Sequence, residues 1–249
     1  MIRVLIVFLL IYSPSLAVAG VADDNLISYI PFNDGTGNFA SDTEHQYSSG
    51  VILTKGTTFI SNGKKGLGIS CDGANDFAVI SDSVTQWHNF NQPATISIWL
   101  KPYDVDLPSQ GDVLGTGTGA NQWLFYLVGA GGTDGSVAFY DGTGAVNHVT
   151  VIKYNKNLWN NIIISRDSVG VLRIYKNGFV QYNNVSAGNG AFNPKYSVTP
   201  MRVCGTTPDG LNPVQFDVDE LKIWNKTLTD GEIRRVYYEG YPVHIFDSD

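Results

Sequence analysis

The residues best suited to chemistry lie near the end of the chain, in the acidic string Asp217-Val218-Asp219-Glu220. Cleaving a glycosidic bond needs two carboxyl groups on one side of a strand or groove, one to give a proton and one to attack or to activate water. Alternate residues of a strand share a face, so Asp217 and Asp219 stand together, Glu220 points away, and Leu221 fills the next position. The same register puts Asp219 on a face with Leu221 and Ile223. An ionised carboxylate on an apolar face must be neutralised, meet a basic partner or coordinate a cation. Capping of a turn by Asp219 is the competing reading.

Other reaction signatures are missing. Neither H-E-x-x-H nor G-x-S-x-G occurs, and His45, His88, His148 and His244 are scattered without metal or triad spacing. A lyase site assembled by folding from a Tyr, a His and a basic group would leave no such signature. Gly115-Thr116-Gly117-Thr118-Gly119 precedes a β run rather than a helix, so it reads as a hairpin loop and not as a phosphate cradle. Sugar recognition asks for aromatic faces beside polar side chains. Trp87, in the polar stretch Gln86 to Asn91, together with Trp123 and Tyr140, supplies candidate ligand-binding residues, with core packing as the alternative for each.

The compartment is read from the N-terminus. Arg3, the apolar run Val4 to Tyr12 and the small-residue ending Ala17-Val18-Ala19 form a secretory signal over residues 1–19. Residues 20–249 are then expected to be one exported domain, secreted or, in a bacterium, periplasmic. No later apolar stretch is long enough for a helical membrane span. The net charge of −7 lacks the electrostatic footprint for nucleic acid. Only Cys71 and Cys204 occur, each in a strand-like run and each followed by Gly within two residues. In an exported chain they read as a structural disulfide contributing roughly 2–4 kcal/mol, two small buried thiols being the alternative.

The elements that must position these residues are strands. Short β-rich runs broken by Gly, Asn, Asp and Pro recur from Ile27 to Trp224 without a linker, the habit of an antiparallel sandwich. Ala94 to Lys101 alternates, with Ile96, Ile98 and Leu100 on the core side. Trp123 to Val128, Ser136 to Tyr140, Trp159 to Ser165 and Val171 to Tyr175 are further strands, the last leading into the hairpin pair Asn177-Gly178. One helix is specified: Thr229 caps it, Glu232 completes a capping box, Leu228 and Ile233 form a hydrophobic staple, and it runs to about Tyr238.

Taken together, Leu26 to Asp34, Gly68 to Ile80, Ala94 to Lys101, Trp159 to Gly178, and Asp219 to Asn225 with Leu228 and Glu232-Ile233 resemble the strand signatures of the concanavalin A-like, laminin-G-like modules. The resemblance implies an all-β jelly-roll sandwich of two antiparallel sheets with one short C-terminal helix. That superfamily also holds glucanases with an E-x-D-x-E strand, from which the Asp217 string departs by its missing third acid. The resemblance further implies a calcium ion between the Asp219 strand and the opening segment, with Asp34, Asp42 and Asp219 as ligands and Asn33 nearby. The function it implies is a secreted, non-catalytic, calcium-dependent module that binds a glycan or a glycosylated surface. A polysaccharide-degrading enzyme and a protein-binding adhesion module use the same scaffold.

Overall fold

A computed structural model describes residues 25–44, 48–82, 92–103, 110–117, 122–130, 133–141, 146–183, 200–205, 212 and 214–239. The signal segment and Trp87 lie outside the described residues. In chain order the strands are β1 (Leu26–Ile30), β2 (Phe39–Ser41), β3 (Ser48–Thr54), β4 (Thr58–Lys65), β5 (Leu67–Asp72), β6 (Phe77–Asp82), β7 (Ala94–Pro102) and β8 (Gly111–Gly115). They continue with β9 (Trp123–Ala130), β10 (Thr133–Asp141), β11 (Val146–Lys153), β12 (Asn160–Arg166), β13 (Leu172–Lys176), β14 (Phe179–Asn183), β15 (Arg202–Val203) and β16 (Gln215–Trp224), before α1 (Asp230–Glu239).

The strands form two antiparallel eight-stranded sheets. The first runs β14-β13-β12-β7-β16-β5-β4, with β1 also paired to β16; the second runs β11-β10-β9-β8-β15-β6-β3-β2. This is the expected jelly-roll sandwich with one short C-terminal helix. Alternation builds the core. Ile96, Ile98 and Leu100 of β7 meet Trp123, Phe125 and Leu127 of β9 and Val137 and Phe139 of β10 between the sheets.

Asn177 and Gly178 have φ values of 53° and 81°, the pair of left-handed residues a two-residue hairpin needs, and they join β13 to β14. Helix α1 starts as its capping box requires. The Thr229 N–H donates to Glu232 Oε2 at 2.8 Å and the Glu232 N–H donates back to Thr229 Oγ1 at 3.3 Å. Leu228, Ile233 and Val236 pack on Leu26, Ile163, Tyr175 and Trp224, on the outer side of the first sheet. That side is therefore covered, and Trp99, on the face of β7 away from the core, stacks on Tyr237 at 5.7 Å between ring centroids.

Cys71 of β5 and Cys204, just past β15, form a disulfide that joins the first sheet to the second. Both cysteines are buried.

Candidate functional site

Strand β16 carries the acids, and it is not regular. Asp219 pairs with Trp99 but Lys222 pairs with Ser97, so three steps on β16 oppose two on β7. Glu220 takes up the extra residue at φ 51°. A bulge of this kind switches which side a strand presents. Directly opposed residues share a side, so Asp219 points outward with Trp99, while Leu221 and Ile223 stand in the core. The expectation that Asp219 shares an apolar face with Leu221 and Ile223 is thus corrected.

Asp219 is met by backbone. Its Oδ2 accepts the Lys65 N–H at 2.8 Å and its Oδ1 accepts the Glu220 N–H at 2.8 Å. The β4–β5 turn lies against it, for a Cβ on Gly63 would stand 2.8 Å from Asp219 Oδ2. Burial, opposed by the Lys65 N–H and reinforced by the charge of Glu220, pushes the Asp219 pKa up to about 7. Glu220 accepts the Tyr29 hydroxyl at 2.8 Å and lies 3.9 Å from Lys222 Nζ, and the Tyr29 hydroxyl is in turn raised by burial and then by Glu220. The expectation that Glu220 points away from its neighbour fails for the same reason, because the bulge turns it toward Tyr29 and Lys222. Asp217 accepts the Tyr103 hydroxyl at 2.6 Å and lies 3.5 Å from Lys101 Nζ. With exposures of 1 %, 0 % and 2 %, Asp217, Asp219 and Glu220 present no open pair of carboxyls to a polymer.

The expected calcium ligands are each engaged separately. Asp34 is exposed and accepts the Ser41 N–H at 2.9 Å and the Ser41 hydroxyl at 2.7 Å. Asp42 is buried and accepts the Ser28 hydroxyl at 2.6 Å and the N–H groups of Tyr29 and Glu44 at 2.9 Å each. Asn33 accepts the Leu67 N–H at 2.8 Å and so helps Asp219 hold the β4–β5 turn. Among the described residues no group of three or more His, Cys, Asp or Glu side chains is arranged to hold a metal ion.

The aromatic candidates separate. Trp123 is 0 % exposed and stacks on Phe139 at 5.9 Å inside the sandwich, so its ring offers no face to a ligand. Its assignment to ligand binding is corrected to core packing. Tyr140 is half-buried on the other side of the second sheet, against Leu124, Tyr126 and Ala138. From Tyr140 a single row of paired residues crosses the outer face: Leu124, Gly115, Arg202, Val79, Ile52 and Phe39. Six inter-strand steps span about 29 Å. Ile52 and Phe39 are exposed.

Within that row Gly115 lets the backbone of β9 close up on β8. Its φ is 156°, and a Cβ there would run into the Trp123 carbonyl and stand 2.9 Å from the Leu124 Cα. Beside it, the buried Tyr126 pairs with the buried Asp112, and burial followed by the Asp112 charge raises the Tyr126 hydroxyl. The Gln110 side chain donates to Asp112 Oδ1 at 2.8 Å. Sequence reasoning missed Asp112, Tyr126 and Arg202. The available cue was β9 itself, where Leu124, Tyr126 and Val128 alternate with the core residues and put a hydroxyl on the second face.

Several solved structures share this fold. The binding domain of Paraclostridial Mosquitocidal Protein 1 matches with a TM-score of 0.66 and 14 % identity over 87 % of this chain and 52 % of its own. The botulinum neurotoxin serotype D binding domain matches at 0.64 and 13 %, over 87 % and 52 %. The chain thus spans about half the length of these toxin domains. Domain 4 of AbnA, a GH43 extracellular arabinanase from Geobacillus stearothermophilus solved with arabinotriose, matches at 0.64 and 17 %, over 86 % and 98 %. At such identities the likeness is one of fold. No curated protein matches the chain. Residues 72–234 match the laminin G family model described as the concanavalin A-like lectin/glucanases superfamily, and with its two-sheet sandwich the chain belongs to that superfamily.

Proposed function

We propose that the chain is an exported recognition module that binds a glycan, or a glycosylated surface, on the outer face of its second sheet and does not turn it over. The observation that carries this reading is the row from Tyr140 to Phe39, with aromatic rings at its two ends and the half-buried Arg202 at its middle. Sugars are bound by apolar ring faces for their C–H surfaces and by a few polar groups for their hydroxyls. Two further points support the reading. The acids of β16 are closed to a polymer, and a fold relative of matching length was solved with a bound arabinotriose. Export rests on the N-terminal signal pattern, and Trp87 stands as a further candidate contact.

A glycan array with the full secreted chain tests the proposal. Binding is expected to one polysaccharide class, and Tyr140→Ala and Arg202→Ala are each expected to weaken it by about tenfold, the equivalent of ~1.4 kcal/mol. The distant control Tyr238→Ala should bind as the parent does. Release of reducing ends from the bound polymer, or retention of full affinity by both row variants, would overturn the reading.

A further inference from the structure

We infer that the corner where β14 meets the C-terminal half of α1 docks an acidic, extended peptide segment of a partner protein, which adds to the first sheet as a further strand. Among the described strands β14 ends that sheet, joined to β13 alone. Sheet edges are ordinarily guarded by lysine, proline, a bulge or a covering element. The opposite edge, β4, carries Lys64 and Lys65. Strand β14, Phe179-Val180-Gln181-Tyr182-Asn183, holds no charge and no proline, and its Phe179 and Val180 are 57 % and 49 % exposed. The guard it does have is a single bulge, where the register slips between the Tyr182 and Val180 pairs and Gln181 is the extra residue. The Gln181 side-chain amide donates to the Phe179 and Val180 carbonyls at 3.4 and 3.3 Å. Those bonds are long, and a backbone N–H arriving at about 2.9 Å is the better donor.

Helix α1 supplies the second observation, which is charge. It lies along the outer side of the β13–β14 hairpin: a Cβ on Gly178 would stand 3.2 Å from Tyr237, and the Tyr175 hydroxyl donates to Asp230 Oδ1 at 3.0 Å. Val180 pairs with Tyr175 and so shares that side, while Phe179 shares the other with Lys176. Tyr238 is 58 % exposed, with its ring 5.2 Å from that of Tyr237. Arg234 and Arg235 stand one helical turn before Tyr238, and both are exposed. The acids of α1 are all engaged: Asp230 by Tyr175, Glu232 by Lys226 at 2.7 Å and Glu239 by Lys222 at 3.5 Å. Neither arginine has a hydrogen bond or an ion pair among the described residues. On a chain of net charge −7, two uncompensated positive charges thus flank an open, uncharged strand. That sign selects the occupant. A second copy pairing edge to edge would bring its own two arginines to the same interface by symmetry, whereas an acidic segment neutralises them. An added strand alternates its side chains, so carboxylates on the α1 side reach Arg234 and Arg235 while apolar residues on the other side cover Phe179.

The test uses the full chain and a fluorescein-labelled synthetic peptide of about eight alternating Glu and Val residues, a length suited to a strand, read by anisotropy at low salt. One-to-one binding is expected, at least tenfold tighter than that of the matching Lys-Val peptide and weakened by added salt. The double variant Arg234→Glu, Arg235→Glu should weaken it by at least tenfold with an unchanged Tm, because both side chains are exposed. Methylating alternate backbone nitrogens of the peptide separates strand addition from charge attraction. Methylation of the set facing β14 should abolish binding, and methylation of the other set should leave it intact. The inference fails if the Glu-Val peptide binds no better than the Lys-Val peptide, or if both methylated peptides bind as the unmodified one does. It fails equally if sedimentation shows a dimer that Val180→Asp dissolves, which makes a second copy the occupant. Displacement of the peptide by a uronate polymer that binds the parent more tightly, and not the arginine variant, would also overturn it.

Discussion

A carboxyl group held at a pKa of about 7 inside a sheet, as at Asp219, ties stability to pH in the sense opposite to that of a salt-bridged acid. Its folded value lies above the ordinary 3.8, so the native state holds the proton more tightly than the unfolded chain does. The favourable contribution is complete below pH 3.8 and is lost as pH rises through about 7. Asp76, raised to about 6, adds in the same direction. In chelator, the urea midpoint of the parent should therefore fall between pH 5 and pH 8, with Asp219 supplying on the order of 2–4 kcal/mol. Asp219→Asn should flatten that fall. Equal slopes for parent and variant would remove Asp219 as its cause. The identity of this acid was legible in the sequence, but its side was not, because Glu220 carries no glycine-like signal for its positive φ. Trp123 misled for another reason. Both faces of Trp123 to Val128 are apolar, so alternation alone could not tell which one the core would take.

At the scale of elements, local chemistry was sufficient wherever a motif is complete within a few residues. The Asn177-Gly178 hairpin, the strands β7, β9 and β13, and the start of α1 all lie where turn residues, alternation and a capping box put them. Replacing the cap, Thr229→Ala, should cost about 1 kcal/mol, read as a lower urea midpoint with an unchanged m-value, and Thr229→Asn should restore most of it. The helix matters beyond itself because it roofs the first sheet. Trp99 is met by Tyr237 and by the Lys64 ammonium, which lies 4.4 Å from its ring centre. Trp99→Ala should thus destabilise by about 3–5 kcal/mol, the range for emptying a large buried site. A loss below 1 kcal/mol would mean that α1 does not seal that face. Pairings between distant strands, such as β16 with β1, β5 and β7, carry no local signature and were not readable.

At the scale of the molecule, the sandwich has one covalent cross-link and one strand on which the first sheet depends. The Cys71–Cys204 disulfide spans 133 residues of sequence and joins the two sheets. In the chain-entropy account so long a loop contributes roughly 5 kcal/mol, and measured native bridges usually contribute 2–5 kcal/mol. A Cys71→Ala, Cys204→Ala double variant should lose stability in that range in chelator and denaturant. A change under 1 kcal/mol would show that the noncovalent contacts between the sheets are enough.

Strand β16 has three partners: β7, β5 and β1. Those partners precede it by more than a hundred residues, so the centre of the first sheet is a gap until Gln215–Trp224 is available. During synthesis the order of events follows from this. With its middle strand still inside the ribosome, the first sheet cannot close, and long-range pairing of this kind is slow even when every strand is present. The β7–β14 side of the first sheet and its β5–β4 side should therefore stay apart, and the join between them protease-sensitive, until β16 has left the ribosome.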